Sequence, residues 1–535
     1  VRGASINIHD APPPKKHFLM PRAPLIVLKG KECIMCNQYL LGLDNGGTVV
    51  KAGLYHVNGE PLAYASAAIP TMLDKKGIVE RDMNVLWAVN CRVIREVVAK
   101  AGVNPADIIG ISTSGHGNGL YLVDKDLKPV MNGIYSTDMR AKDELAEFES
   151  SGVCDRIFPK IMQRLYPGQF APLLIWLTKN KPDILKRARW ALGCIDFIRL
   201  CLTGEAFGEM TNMSAAGVMD QNTRNYDDEI LKLMGIGDCR RLLPPLAQSC
   251  DICGTVSKKA AQETGLCEGT PVAGGFIDIT ACAIATGITD TSRFCMIAGT
   301  WSINEFISKK PILSKDLLLT SVYCIDGYYM VTDGSMTSAS NLEWFLREFF
   351  DSERMQANNV YKAADAMAES VKPEESGVIF LPFLYGTNVD ADAKSCFLGL
   401  SGWHTKAHIL RAVFEGIVFS HRMHIEKLMR LREKPQAIRM AGGVTKSKVW
   451  IQMFADALQM PIEISDSSEL GTMGVAMCAA VATRQYPSLL NASNAFSKIS
   501  YVCEPDVSKR DVYSKKYALY QMAIDSLKSV WKGWN

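Results

Sequence analysis

Apolar and polar positions alternate along this chain in short blocks. From Gln38 an apolar run over Leu40–Leu43 meets Asp44, then Asn45-Gly46-Gly47-Thr48, then a second apolar run from Val49 to Tyr55. Short apolar runs bounded by turn residues predict strand, tight turn, strand. A third strand is predicted over about Leu62–Ile69. Asp82 then heads a stretch in which Leu86, Val89, Val93 and Val97 share one helical face before Gly102. That pattern predicts a helix capped by Asp82 and closed at Gly102. A strand over Ile108–Thr113 runs into Ser114-Gly115-His116-Gly117-Asn118-Gly119. Residues 155–204 read as helices, with Trp176, Leu177, Leu192 and Leu200 toward a core, and Glu209–Ser214 reads as a polar loop. Pro271–Asp278 repeats the opening pattern, an apolar strand ending in glycines and one acid, before a small-residue helix over Ile279–Thr286.

The second half starts again with strands. Arg293–Ala298 leads to Gly299-Thr300, Ser302–Ile307 follows, and Val322–Thr332 holds two more. Helices are predicted at about Ser340–Phe350 and Thr405–Leu431. A strand Ala437–Ala441 meets Gly442-Gly443, and a helix starts near Lys446. Both halves open with strand, glycine turn, strand, a repeat of architecture rather than of sequence. The expected organisation is a leader over 1–36, a first domain over 37–288 and a second over 289–535. Mixed strands followed by alternating helices and strands place both domains in the α/β class.

Composition narrows the function. A chain of 535 residues with 48% hydrophobic content builds two or three globular domains rather than one. The formal charge of +3 argues against a nucleic-acid partner. Residues 1–34 alone carry six basic and two acidic side chains, so the remainder is slightly acidic. The leader, with Pro12-Pro13-Pro14 and no clear period, is expected to be disordered. Sixteen cysteines scattered through apolar runs, among them Cys194, Cys201, Cys282, Cys295 and Cys478, do not form a disulfide framework and fit a reducing cytoplasm. Cys33 and Cys36 form a lone CxxC without the second pair a zinc site needs. No apolar stretch is long enough to span a bilayer, so no membrane partner is expected.

The chemistry lies in the turns. Backbone N–H groups in a glycine turn attract phosphate, and an Asp at a strand end suits Mg²⁺. Asp44 with Gly46, Gly47 and Thr48 can hold a metal and phosphates, Gly299 and Thr300 can hold phosphates from the other side, and Gly442-Gly443 can let an adenosine lie flat on backbone. Neither GxxxxGK[ST] nor GxGxxG occurs, so a P-loop or dinucleotide fingerprint is not supported. Asp278, at a strand end beside glycines, is a general-base candidate, and equally a helix N-cap. The Ser114–Gly119 loop offers donors and acceptors with little bulk and suits a polyhydroxylated ligand; His116 also reads as an ordinary loop histidine. His421 and His424 read as structural rather than as metal ligands, and Trp87, Trp176 and Trp344 as core.

From residue 38 to 530 the chain resembles the FGGY carbohydrate kinases, a branch of the actin-like, RNase H-fold ATPases. The resemblance rests on Ser395-Cys396-Phe397-Leu398-Gly399-Leu400, with His408-Ile409 and Ala412-Val413-Phe414-Glu415 beyond it. A weaker match lies at Pro172–Trp176, where Leu173 replaces the usual lysine. The resemblance implies two actin-like (RNase H-like) domains with a nucleotide and sugar cleft between them. It makes Asp44–Thr48 and Gly299-Thr300 the two phosphate motifs, with Trp301 where serine is common. It makes Ala441-Gly442-Gly443 with Lys446 and Trp450 the adenosine motif, and places Gly471 and Gly474 on a helix bordering the nucleotide. Asp278 falls on the family's catalytic base. Implied cofactors are ATP and Mg²⁺, with Asp44 toward the metal, and a homodimer is expected.

Within the family, Leu43–Gly47 with Lys51–Tyr55, Val79–Met83, Ser136–Ala141, Asn341–Phe345 and Phe380–Gly386 are similar to L-xylulose / 3-keto-L-gulonate kinases. The expected activity is ATP-dependent phosphorylation of a ketopentose-type sugar (L-xylulose or 3-keto-L-gulonate) at its terminal hydroxyl. His116, Gly117, Asn118, Asp138 and Asp278 are the expected sugar contacts. His116-Gly117-Asn118 stands where xylulokinases carry Gln-Met-His, which argues against D-xylulose. A D-xylulose or polyol kinase of the same family is the nearer alternative. A non-catalytic actin-like ATP-binding regulator is the alternative of another class, and it need not keep both the 114–119 loop and Asp278.

Overall fold

The computed structural model describes residues 38–350, 357–390 and 392–534. The leader and the Cys33/Cys36 pair lie outside the described residues. Two seven-stranded sheets organise the rest. In the first, β1 (Tyr39–Asn45) lies antiparallel to β2 (Val49–His56), which lies antiparallel to β3 (Pro61–Ala68). On its other side β1 runs parallel to the strand Ile108–Gly115. Leu40, Leu41 and Leu43 are all fully buried, because helices cover both faces of this sheet. The expected helix after Asp82 is present: α1 spans Met83–Ala101, the Asp82 side chain accepts from the amides of Asn84 and Val85, and Gly102 closes it in the left-handed conformation.

The second sheet repeats the plan. Arg293–Ala298 is antiparallel to Ser302–Ser308 and parallel to Ala437–Ala441, as β1 is to β2 and to Ile108–Gly115. The repeat read from the turns is thus a repeat of sheet topology. Between the sheets lie two small-residue helices, Asp278–Ala285 and Leu470–Ala482, packed on each other, the second also on β1 and the first on the strand Arg293–Ala298. The elements can approach so closely because glycines stand at the contacts. A Cβ on Gly42 of β1 would stand 2.9 Å from the Thr472 carbonyl carbon, and one on Gly474 would stand 2.8 Å from that of Ala281.

Five local expectations change. Glu209–Ser214 is not a loop: Glu209 caps a short helix, Met210–Ser214, that is wholly buried. The polar side chains there satisfy one another, so polarity did not mean exposure. Within 155–204, Trp190–Leu192 forms a short strand paired with Tyr121–Val123. The two strands expected in 322–332 are Leu319–Val322 and Tyr329–Ser335. After Ala441 the chain makes a 3₁₀ turn, Gly443–Lys446, and the α-helix begins at Lys448 with Ser447 as cap. Trp87, Trp176 and Trp344 are half-buried at core edges rather than inside. His421 and His424 are fully buried and structural: His424 Nδ1 is 2.7 Å from Asp333 Oδ2, and His421 lies within hydrogen-bond distance of Ser338 and Asn304.

Candidate active site

Three chain segments meet at the carboxyl end of the strand Ile108–Gly115. In register, Asp44 of β1 lies opposite Ser114, and Ile277 lies opposite Gly115 on the other side. This pairing brings the two candidate acids together from positions 234 residues apart in sequence. Ser114 Oγ donates to Asp44 Oδ1 at 2.8 Å. Burial pushes the Asp44 carboxyl up, while that hydrogen bond and the charge of Lys51 oppose the rise. Asp278 is the first residue of its helix, and its Oδ1 accepts the Ile279 amide at 2.8 Å. Removal from water, and secondly the negative charge of Asp44, push the Asp278 carboxyl up to about 7. Ile277, not Asp278, stands at the N-cap position.

The support for Asp278 comes from the segment that read as a loop. The Ile277 amide donates to Thr211 Oγ1 at 3.1 Å, and that hydroxyl donates to Glu209 Oε2 at 2.6 Å. Glu209 also accepts from the Thr211 and Asn212 amides and from Ser249 Oγ. Burial nevertheless pushes its carboxyl up to about 7. Ser249 in turn accepts the Gly275 amide through its carbonyl. The segment before the candidate base is therefore held at two points, Gly275 and Ile277. The signal available in sequence was an acid two residues before a threonine, a helix-capping pattern.

The 114–119 loop folds over this point. Gly117 lies against Ile277, whose Cγ1 would stand 3.0 Å from a Cβ there. Asn118 holds a positive φ of 62°, and its Oδ1 is buried without a hydrogen-bond partner among the described residues. The Tyr166 hydroxyl bonds the Asn118 side chain and feels the Asp278 charge. His116 is buried, with Nε2 3.0 Å from the Tyr121 hydroxyl and Nδ1 3.3 Å from the Gly117 carbonyl. Burial, then the nearby Arg81 charge, pull it down to about 3, so the ring is neutral. Asp138 is held apart, fully buried, by the Val79 amide and the Arg140 backbone and guanidinium.

Sequence reasoning missed Arg81 and Tyr135. Arg81 is 1% exposed, lies 4.1 Å over the Tyr135 ring, and donates to the Gly47 carbonyl of the first glycine turn. Tyr135 packs edge-on against His116, with ring centroids 4.6 Å apart. Gly46 and Gly47 are half-buried and Thr48 is exposed. Gly471 abuts the metal candidate: a Cβ there would stand 2.7 Å from Asp44 Cγ.

The remaining candidates gather on the second sheet. Ile297 lies opposite Ala441, so the turns Gly299-Thr300 and Gly442-Gly443 emerge side by side from neighbouring parallel strands. Gly442 has a φ of 98°, and a Cβ there would stand 2.7 Å from the Ala298 carbonyl carbon. Gly443 and Lys446 are exposed beside it. Paired backbone turns at strand ends suit phosphate oxygens. For a metal, two carboxylates whose charges repel are hard-oxygen ligands. Among the described residues no group of three or more His, Cys, Asp or Glu is arranged to hold an ion. That donor set fits Mg²⁺, which takes one or two carboxylates and completes its shell with phosphates and water.

The chain is similar to known proteins along most of its length. Residues 39–285 match the N-terminal domain of the FGGY family of carbohydrate kinases, and residues 295–483 match its C-terminal domain. The L-xylulose/3-keto-L-gulonate kinase of Escherichia coli is 34% identical over 497 residues, 92% of this chain and 97% of that protein. The probable L-xylulose kinase of Pasteurella multocida is 32% identical over 92% of this chain and 99% of its own length. The crystal structure of ligand-bound xylulose kinase from Lactobacillus acidophilus superposes with a TM-score of 0.85 at 23% identity, over 93% of this chain and all of that one. This last likeness speaks to the two-domain fold.

Proposed function

The chain belongs to the FGGY family of carbohydrate kinases, phosphotransferases with an alcohol acceptor, and we propose that it transfers the γ-phosphoryl group of ATP to the terminal hydroxyl of a ketose, L-xylulose or 3-keto-L-gulonate. The observation that carries the reading is Asp278, poised near 7 and packed beneath the Gly117-Asn118 loop. A base with that affinity for protons is ionised in a large fraction at neutral pH and still accepts a proton readily. Asp278 takes the proton of the attacking hydroxyl. Asn118, with an unpartnered carbonyl oxygen, and the Gly117 backbone orient the sugar. His116 and Asp138, whose polar atoms are engaged within the protein, hold the walls behind them.

When bound, Mg·ATP supplies the γ-phosphoryl group and offsets its charge. The backbone of Gly46, Gly47, Thr48, Gly299 and Thr300 holds phosphate oxygens, Gly442 and Gly443 leave room for adenosine, Lys446 stands at its rim, and Asp44 is the metal ligand. On this reading 37–288 is the sugar-binding half and 289–535 the nucleotide-binding half, and closure of the cleft excludes water. A homodimer in a reducing cytoplasm completes the proposal; fourteen cysteines among the described residues are free, and no helix there is long and apolar enough to cross a membrane.

The test is sugar-dependent ADP release with Mg·ATP against L-xylulose, 3-keto-L-gulonate, D-xylulose, L-ribulose, erythritol, glycerol and a blank. Strong stimulation by L-xylulose or 3-keto-L-gulonate supports the assignment. Stimulation by D-xylulose or a polyol alone overturns the substrate. ATP binding with no sugar response favours a regulator.

A further inference from the structure

A cavity of about 360 Å³ opens in the first half of the chain, and none of its lining residues belongs to the cluster built around Asp278. Three of its walls are arginines: Arg189, Arg240 and Arg241. The Arg189 guanidinium lies 3.5 Å over the Trp190 ring, and that of Arg240 lies 5.1 Å from the Tyr226 ring. Pro245 contributes an apolar floor. Three like charges repel one another, and their lining holds no carboxylate. Among the described residues one acid pairs with them: Asp228, 3.2 Å from Arg240 and 83% exposed, so water already competes for it.

The bland account is that these arginines staple loops. It holds for Arg241, whose guanidinium donates to the carbonyls of Leu185 and Ala188 at the end of the helix Pro182–Arg187. It does not hold for Arg240, and Arg189 spends a single N–H on the Arg241 carbonyl at 3.2 Å. Both guanidiniums instead stand over aromatic rings, which restricts their forks while leaving most donors free. Fixed guanidinium forks recognise phosphate or carboxylate oxygens in pairs.

We propose that this cavity binds a small phosphate ester. Three guanidiniums against one exposed carboxylate leave two positive charges, which match the charge of a phosphomonoester near neutral pH, roughly −1.5 to −2. The volume lies within the range of small-molecule sites, about 300–1,000 Å³. Trp190 and Pro245 offer apolar faces for the carbon skeleton. The assignment stands apart from the identity of the sugar at Asp278.

Two measurements decide it. Inorganic phosphate, a pentose 5-phosphate and citrate are titrated calorimetrically into the full chain and into Arg189→Ala/Arg240→Ala. In parallel, phenylglyoxal modification of Arg189 and Arg240 is followed by peptide mass with and without the pentose phosphate. The expected result is a pentose-phosphate site weakened roughly tenfold or more in the double variant, with sugar-dependent ADP release unchanged in the absence of added phosphate. Phosphate-dependent protection of both arginines in the unaltered protein is expected too, and it decides the matter even if the variant folds poorly. Equal affinity in the two proteins, or no protection of either arginine, overturns the site. Citrate binding more tightly than the pentose phosphate overturns the ligand class.

Discussion

Asp44 and Asp278 flank one strand, and the charge of the first raises the proton affinity of the second. Burial is the larger cause of the rise at Asp278, and the Asp44 charge adds to it. Asp44 is held toward the turn by Ser114, and Asp278 is anchored through Ile277 to Thr211 and Glu209. The pair yields the following expectations.

Asp278→Asn keeps the size of the side chain and removes its basicity. Sugar-dependent ADP release should fall by about 10²–10⁴-fold, the usual share of a general base, with an unchanged melting curve. Turnover within a few-fold of the parent would remove Asp278 from the mechanism.

Proton affinity near 7 sets the pH response. On the proposed mechanism Asp278 works as the ionised base, so kcat/KM should rise with pH through about 7 and level off above it. In Asp44→Asn the neighbouring negative charge is gone, and the Asp278 titration should move to lower pH. Carboxyl ¹³C NMR reads this without needing turnover. An unmoved midpoint would mean that burial alone sets the value.

Glu209→Gln tests the anchor. The amide keeps one acceptor oxygen, so at least one of the four donors now bonded to Glu209 loses its partner. A buried unpaired donor costs about 1–3 kcal/mol, visible as a lower denaturation midpoint. Because Thr211 holds the Ile277 amide, kcat should also fall while KM for ATP stays near its parent value. A loss of stability with kcat intact would make Glu209 purely structural.

Glycines separate packing from chemistry. Gly42→Ala presses a methyl into the Thr472 backbone, and a forced shift in so tight a contact costs about 1–3 kcal/mol or more. Gly471→Ala pushes instead on the Asp44 carboxylate, so the concentration of Mg²⁺ needed for half-maximal rate should rise more than stability falls. Thermal melts and Mg²⁺ titrations of the two variants should rank in opposite order.

Much of this protein was legible in one dimension. Period-2 and period-3.6 patterns with glycine and acid at their ends marked β1, β2, α1 and the strand Arg293–Ala298 to within a residue or two. They did so because side-chain direction in strands and helices follows sequence spacing. The glycine turns marked backbone open to a ligand, and the FGGY resemblance gave Asp278 its expected role. Polarity misled at Glu209–Ser214, where hydrogen bonds within the segment and to Asp196, Ser249 and Ile277 engage most of the polar groups that water would otherwise meet. Arg81 and Tyr135 were equally silent, since an arginine ending a short strand and a tyrosine just after one carry no periodic signal.

The sequence by itself determined which elements form, that two halves repeat one plan, and which residue types stand at the strand ends. Only the tertiary structure decided what those residues do to one another. Strand register set Asp44 and Ile277 on either side of Ser114 and Gly115, and burial together with the Asp44 charge moved Asp278 to about 7. Burial made His116 neutral and committed Asp138 to Arg140. Proton affinity and hydrogen-bond partnership depend on which groups lie within a few ångströms, and several of the groups that close in space, Asp44 and Asp278 among them, are far apart along the chain.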